Sequence, residues 1–210
     1  MPTLEWKIML VDDDREDYIL IRDIVNDFGG MSSRLSWTAK YDVALEELTH
    51  DRHDVFLIDY RLGAQDGLEL MREARAAGGT SPMILLTGQG DRSVDLQAME
   101  AGAADYLEKG CIDAALLERS IRYAIEHNDV EARLAESNAK LRAFAGTASA
   151  DLAEPLQHVT ACLDRLQREC QGKFDTDTEA SIARACDAAG NMTELINNLT
   201  TRFSPPPAAK

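Results

Sequence analysis

Short apolar runs alternate with amphipathic stretches over the first 127 residues. Five runs predict strands: Lys7–Val11, Leu35–Thr38, Val55–Ile58, Met83–Thr87 and Asp105–Leu107. The third and fourth, VFLI and MILLT, are almost wholly apolar, as strands covered on both faces are. Between the runs, apolar residues recur at spacings of three and four. That spacing predicts helices over Arg15–Phe28, Tyr41–His50, Gly67–Ala76 and Arg92–Ala101, with a fifth starting near Asp113. Five strand–helix repeats predict an α/β class fold, an open parallel sheet wound on both faces with right-handed crossovers.

The pattern changes after Asp113, where no strand signal remains. Leu134, Leu141, Ala145, Ala148, Leu152, Leu156, Val159, Leu163, Leu166 and Cys170 form a seam of heptad type, with one four-four step near Pro155. A loop signal follows over Gln171–Asp175. A second periodic run, Ile182, Ala185, Ala189, Met192, Ile196 and Leu199, ends before the Pro-rich tail 204–210. Asp175 or Thr176 is a plausible N-cap, with Glu179 completing a capping box after Thr176. Two long helices joined by a short loop predict an αα-hairpin. Its wide apolar stripe is not covered by one hairpin alone, so a second hairpin from another copy is expected to complete a four-helix bundle in a homodimer. Docking of the hairpin on the α/β domain is the monomeric alternative.

Composition narrows the picture. The chain has 210 residues, 45% hydrophobic and 28% charged, which is globular composition. No apolar run approaches the ~20 residues of a membrane span, and no signal peptide is visible, so a cytoplasmic protein is expected. Net charge is −15, of which −12 lies before residue 128. Nothing resembles a basic recognition helix, so no nucleic-acid partner is expected. Cys111, Cys162, Cys170 and Cys186 have no metal-ligand spacing and read as small buried apolar residues. His50, His53 and His127 read as surface residues.

Candidate chemistry sits where parallel sheets carry it, at the carboxyl ends of the strands. The first strand ends in Asp12-Asp13-Asp14, the third in Asp59 and the fourth in Thr87-Gly88, and Lys109 follows the fifth. Converging carboxylates repel one another unless a cation intervenes, and an all-oxygen set suits Mg²⁺. A hydroxyl and an ammonium opposite could hold a phosphoryl group. The implied chemistry is phosphoryl transfer to a carboxylate.

The motifs MLVDDD (9–14), FLIDYRLGAQDGLEL (56–70), ILLTGQG (84–90) and AGAADYLEKG (101–110) resemble those of response-regulator receiver domains, over residues 1–127. The resemblance implies a five-stranded, flavodoxin-like, doubly wound fold. It implies that Asp59 accepts the phosphoryl group, that Asp12, Asp13, Asp59 and the backbone carbonyl of Arg61 hold Mg²⁺, and that Thr87 and Lys109 contact phosphoryl oxygens. Tyr106 matches the switch aromatic that turns inward when Thr87 moves. Asp14 reads as a loop or N-cap residue. Gly110 stands where the family usually has proline.

The segment AFAGTASADLAEPLQHV (143–159) resembles the H-box of sensor histidine kinases, the first helix of their dimerisation and histidine-phosphotransfer (DHp) hairpin; NMTELINNL (191–199) resembles a stretch of the second. The phosphoacceptor position is occupied by Ala150, which has no nucleophile. Nucleotide-binding boxes are not found after it, so no kinase activity is expected. Pro155 removes the helical hydrogen bond to the Asp151 carbonyl. His158 lies eight residues after Ala150, about 80° round a helix, and reads as an ordinary helix-face histidine.

The expected organisation is a receiver over 1–127, a connecting coiled-coil helix over 128–142, a degenerate DHp-like hairpin over 143–203 and a disordered tail over 204–210. The expected function is that of a response regulator phosphorylated on Asp59 by a cognate sensor histidine kinase. The hairpin would serve dimerisation and docking, with another receiver or a phosphotransfer protein as further partners. Such a chain is a Mg²⁺-dependent phosphoacceptor capable of autodephosphorylation rather than an enzyme. Alternatives are a receiver-directed phosphatase using Asp151, or a phosphorelay through His158.

Overall fold

The computed structural model describes residues 5–30, 32–88, 94–169 and 175–203. The expected tail 204–210, Cys170, most of the 171–175 loop and the start of the helix expected from Arg92 lie outside them. The elements run β1 Glu5–Val11, α1 Arg15–Asn26, β2 Ser32–Thr38, α2 Tyr41–Thr49, β3 Val55–Asp59, β4 Arg61–Leu62, β5 Gln65–Asp66, α3 Gly67–Ala76, β6 Met83–Thr87, α4 Val94–Glu100, β7 Asp105–Glu108, α5 Ala114–Glu169 and α6 Thr176–Phe203. A single 3₁₀ turn, Lys109–Cys111, follows β7.

Five strands form one parallel sheet in the order β2-β1-β3-β6-β7. The two most apolar runs, β3 and β6, lie side by side towards its centre, and every residue in them is buried. Period-two alternation then splits the core into two layers. On one face Met9, Val11, Phe56, Ile58, Met83 and Leu85 pack against Leu48 of α2, Met71 of α3 and Ala98 of α4. On the other, Ile8, Leu10, Leu57, Ile84 and Leu86 pack against Ile21 of α1 and Leu117 and Ile121 of α5. Each such aliphatic side chain contributes about 1.5–3 kcal/mol on burial.

The β4–β5 hairpin carries no apolar alternation and is not foreseen from periodicity. It pairs Arg61 with Asp66 and Leu62 with Gln65 around Gly63, whose φ of +64° favours glycine. The hairpin folds the chain back so that the Gly67 N–H donates to the Tyr60 carbonyl at 2.9 Å. A Cβ on Gly67 would stand 2.1 Å from the backbone oxygen of Asp59. Only glycine permits that approach. Asp66 then caps α3 by accepting from the Leu68 N–H at 2.8 Å.

At the amino ends of the strands, Asp51 ties two loops together. Its carboxylate accepts from the N–H and hydroxyl groups of Thr80 and Ser81, at 2.8–3.0 Å. Burial opposes ionisation there, and these four bonds outweigh it, holding Asp51 below the usual carboxylate range.

The chain divides into two compact units between Ala132 and Arg133, inside α5. The second unit contains the rest of α5, which runs helical through Pro155, and α6. Asp175 is its cap, accepting from the Thr178 N–H at 2.8 Å. Ser149 and Ala189 are buried within this unit. An open apolar groove of about 450 Å³ is lined by Leu152, Pro155, Leu156, Val159, Met192, Leu195 and Ile196. Along the expected seam, Leu134, Leu141, Leu152, Val159 and Leu166 are exposed. Among the described residues no helix is long and apolar enough to cross a membrane.

Two expectations need correction. Cys111 and Cys162 are exposed rather than buried, because both fall on the outer side of their turn or helix. His53 is not a surface residue: only 13% of its side chain is exposed, and it packs edge-on against Phe56 with ring centroids 5.5 Å apart. Its position just before a fully buried strand pulls it inward.

Gly67→Ala should therefore cost at least about 2 kcal/mol through backbone overpacking. Gly110→Ala, whose added Cβ meets nothing within 4 Å, should be close to neutral. Urea midpoints of the two variants measure the contrast; equal midpoints would contradict the close approach.

Candidate functional site

Four loops bring polar side chains together above the carboxyl ends of β1, β3, β6 and β7. Asp12 continues β1: its N–H donates to the Thr38 carbonyl at 3.1 Å. Its side chain is fully buried, and its two oxygens accept from the Asp14 N–H and from Lys109 Nζ, each at 2.8 Å. Trp37 Nε1 donates to the Asp12 carbonyl at 2.9 Å, and the Trp37 ring stacks on Tyr18 at 4.8 Å. Asp14 is the N-cap of α1, accepting from the Glu16 N–H at 2.7 Å, as expected.

Asp59 ends β3 and is held from both sides, by the Tyr60 N–H donating to Leu86 on β6 at 2.8 Å and by the Gly67 approach. One oxygen each of Asp12, Asp13 and Asp59 falls within 4.8 Å of the others, with Asp13 exposed and the other two buried. Lys109 reaches across this group and donates to Asp12 at 2.8 Å, Asp17 at 2.5 Å and Asp59 at 2.9 Å. Thr87, buried at the end of β6, donates to the Leu107 carbonyl at 3.5 Å. Asp17, Asp59, Tyr60, Arg61, Thr87, Gly88 and Lys109 line one cleft of about 390 Å³.

The structure thus gathers Asp12, Asp13, Asp59, Thr87, Lys109 and Arg61. Tyr106 stands outside the cleft with its side chain exposed, and Ala150 lies exposed on α5 in the second unit. Asp17, Tyr18 and Trp37 were not singled out from sequence. Asp17 had a signal: with Asp14 as cap and Arg15 as the first helical residue, position 17 must fall in the first turn, beside the loop. Trp37 had none, because the register of an edge strand against the β1 loop is a tertiary matter.

Electrostatics explain the arrangement. Burial pushes the Asp12 carboxyl up to about 6, against the opposing pull of Lys109 and the Asp14 N–H. Burial also raises Asp59, again opposed by Lys109, while the nearby Asp17 charge adds to the rise. For Lys109, burial works against the charge, but bonds to three carboxylates prevail and raise it above the usual lysine value. A single ammonium cannot neutralise four carboxylates. The donor set is all oxygen, clustered and under-compensated, which fits a hard divalent cation held by Asp12, Asp13 and Asp59.

Lys109→Met should lower the stability of the metal-free protein by about 2–4 kcal/mol, since it strips buried carboxylates of their counter-charge. Magnesium should then raise the urea midpoint of the variant more than that of the wild type, because the cation meets no competing ammonium. Equal gains would show that Lys109 and the cation do not share the same carboxylates.

The model of the response regulator receiver domain family matches residues 8–122. The C4-dicarboxylate transport transcriptional regulatory protein DctD of Rhizobium meliloti is 32% identical over 197 residues, 94% of this chain and 40% of its own length. Response regulator MprA of Mycolicibacterium vanbaalenii is 34% identical over 113 residues, 54% of this chain and 48% of its own. The chain therefore spans less than half the length of these relatives. Among solved structures, the receiver domain of sensor histidine kinase PA1611 from Pseudomonas aeruginosa PAO1 has a magnesium ion coordinated in its active site cleft. It is 30% identical with a TM-score of 0.50, over 59% of this chain and 99% of that one. A response regulator receiver domain protein from Clostridium thermocellum is 25% identical with a TM-score of 0.53, over 60% and 98%. With the doubly wound sheet, the acidic loop after β1, Asp59 after β3 and Lys109 after β7 in place, the chain belongs to the response regulator receiver domain family.

Proposed function

We propose that the chain is a two-component response regulator that accepts a phosphoryl group on Asp59 from a cognate sensor histidine kinase. The observation that carries this reading is the Asp59 carboxylate, seated 2.9 Å from Lys109 Nζ among the grouped oxygens of Asp12 and Asp13. An Asp59 oxygen attacks phosphorus, and the bond from phosphorus to the donor breaks with its electron pair going to the leaving group. Lys109 and Thr87 take phosphoryl oxygens as they charge. Mg²⁺ held by Asp12, Asp13, Asp59 and the Arg61 carbonyl would offset the charge gathered there. Tyr106, outside the cleft and next to the strand-end residues, is the aromatic that follows Thr87 inward. The chain is a phosphoacceptor that loses its phosphoryl group by hydrolysis.

The helical unit is proposed as a DHp-like module used for dimerisation and docking, with Ala150 in the phosphoacceptor position. Support comes from the H-box-like segment and from the exposed apolar groove between α5 and α6 of one copy. A homodimer would pair two such stripes in a four-helix bundle. A second reading is favoured by one observation. The match to DctD, named a transcriptional regulatory protein, covers 197 residues and so runs beyond the receiver. In that reading the helical unit connects a receiver to an output function such as DNA binding.

Phosphorylation should be magnesium-dependent with a small acyl phosphate as donor, followed by mass spectrometry. Asp59→Asn should abolish the adduct, since an amide is a poor nucleophile; undiminished labelling of that variant would remove Asp59 from its role.

Light scattering on the whole chain at micromolar concentration should give a dimer. Leu152→Glu combined with Leu195→Glu, both in the groove, should shift it to monomer. A wild-type monomer would refute the bundle.

A further inference from the structure

We infer that Asp17 is a positioning residue of the cleft, a latch that holds Lys109 at rest and yields when a phosphoryl group arrives. This inference rests on the reading of Asp59 as phosphoacceptor.

An ammonium has three N–H donors and no more. Those of Lys109 are committed to Asp12 at 2.8 Å, Asp17 at 2.5 Å and Asp59 at 2.9 Å. A phosphoryl group on Asp59 adds three acceptor oxygens to the cleft that Lys109 and Asp17 both line. For Lys109 to donate to one of them, a present partner must give up its hydrogen. The partners differ in what release costs. The Asp12 side chain is 0% exposed, so water cannot replace the ammonium there, and a cation taking one of its oxygens would leave the other to Lys109. Asp59 carries the phosphoryl group itself. The Asp17 side chain is 31% exposed and takes water in exchange. Asp17 is therefore the partner that yields. Lys109 keeps its proton and trades an Asp17 oxygen for a phosphoryl oxygen.

A contact made before phosphorylation and broken after it favours the resting state by its own strength. The Asp17 charge, in the first turn of α1, also repels the incoming anion. Both effects have the same sign: Asp17 opposes phosphoryl binding. Nothing in the sequence pattern of the strand ends marks it for this, since it lies on a helix.

The test uses the whole chain with magnesium and beryllofluoride, a phosphoryl mimic, titrated calorimetrically. Asp17→Asn keeps the shape and loses the charge, and should bind beryllofluoride about 3–10-fold more tightly, as expected for loss of one partly exposed charged contact. Asp17→Glu, which keeps both charge and acceptor, should stay near wild type. Glu16→Gln removes an equal charge from a neighbour that is not a partner of Lys109, and should change the affinity less than Asp17→Asn does. The Lys109 ammonium resonance of the magnesium-free protein should shift in Asp17→Asn and not in Glu16→Gln. Should Asp17→Asn melt early, Asp17→Ser repeats the titration with a residue suited to a first helical turn. Unchanged or weaker binding in the neutral variants overturns the latch, as does equal tightening in Glu16→Gln, which would mean bulk charge and not contact. A wild type that fails to bind beryllofluoride overturns the phosphoacceptor reading instead.

Discussion

Two like charges about 4 Å apart at a protein surface repel by roughly 4 kcal/mol. Asp12, Asp13 and Asp59 are held at such range, and one ammonium reaches two of them together with Asp17. Left alone, those carboxylates would part or take up protons. Asp12 and Asp59 stay because the backbone that carries them is tied down. Asp12 is hydrogen-bonded through its N–H to β2 and through its carbonyl to Trp37. Asp59 ends a strand buried at every position and lies beneath a glycine that nothing larger could replace. The stability of the sheet is what holds unfavourable charge in place, and the unrelieved negative charge is what suits the cleft to a cation.

Most of this was legible from residues alone. The apolar runs VFLI and MILLT fixed the sheet centre, because only strands covered on both faces tolerate such composition. The carboxyl ends of β1 and of those two strands then had to carry Asp12, Asp13, Asp59 and Thr87. What was not legible depends on contacts distant in sequence. The two-residue strands β4 and β5 are too short to show a period. His53 is drawn inward by Phe56, which no spacing reveals. Asp17 is one of several acidic residues near the start of α1, and only the reach of Lys109 from residue 109 separates it from Glu16.

The helical unit follows a different logic. In the receiver both faces of the sheet meet helices of the same chain. In residues 133–203 small residues such as Ser149 and Ala189 are buried, while Leu152, Val159, Met192 and Leu195 remain in contact with water. Small residues inside and large ones outside is the reverse of a self-sufficient hairpin. In the proposed DHp-like reading, Ala150 offers no nucleophile at the phosphoacceptor position, and the demands on the segment are those of packing.

The position of Trp37 has an optical consequence. The chain has two tryptophans. Trp6 is sealed in the core at 5% exposure, while Trp37 is 38% exposed and hydrogen-bonded to the loop that carries Asp12 and Asp13. A buried indole emits from a constant environment, and a half-exposed one answers to changes in its polar neighbours. Events in the acidic loop are thus written into the red side of the protein's own fluorescence, against a steady internal reference from Trp6, without any dye or label.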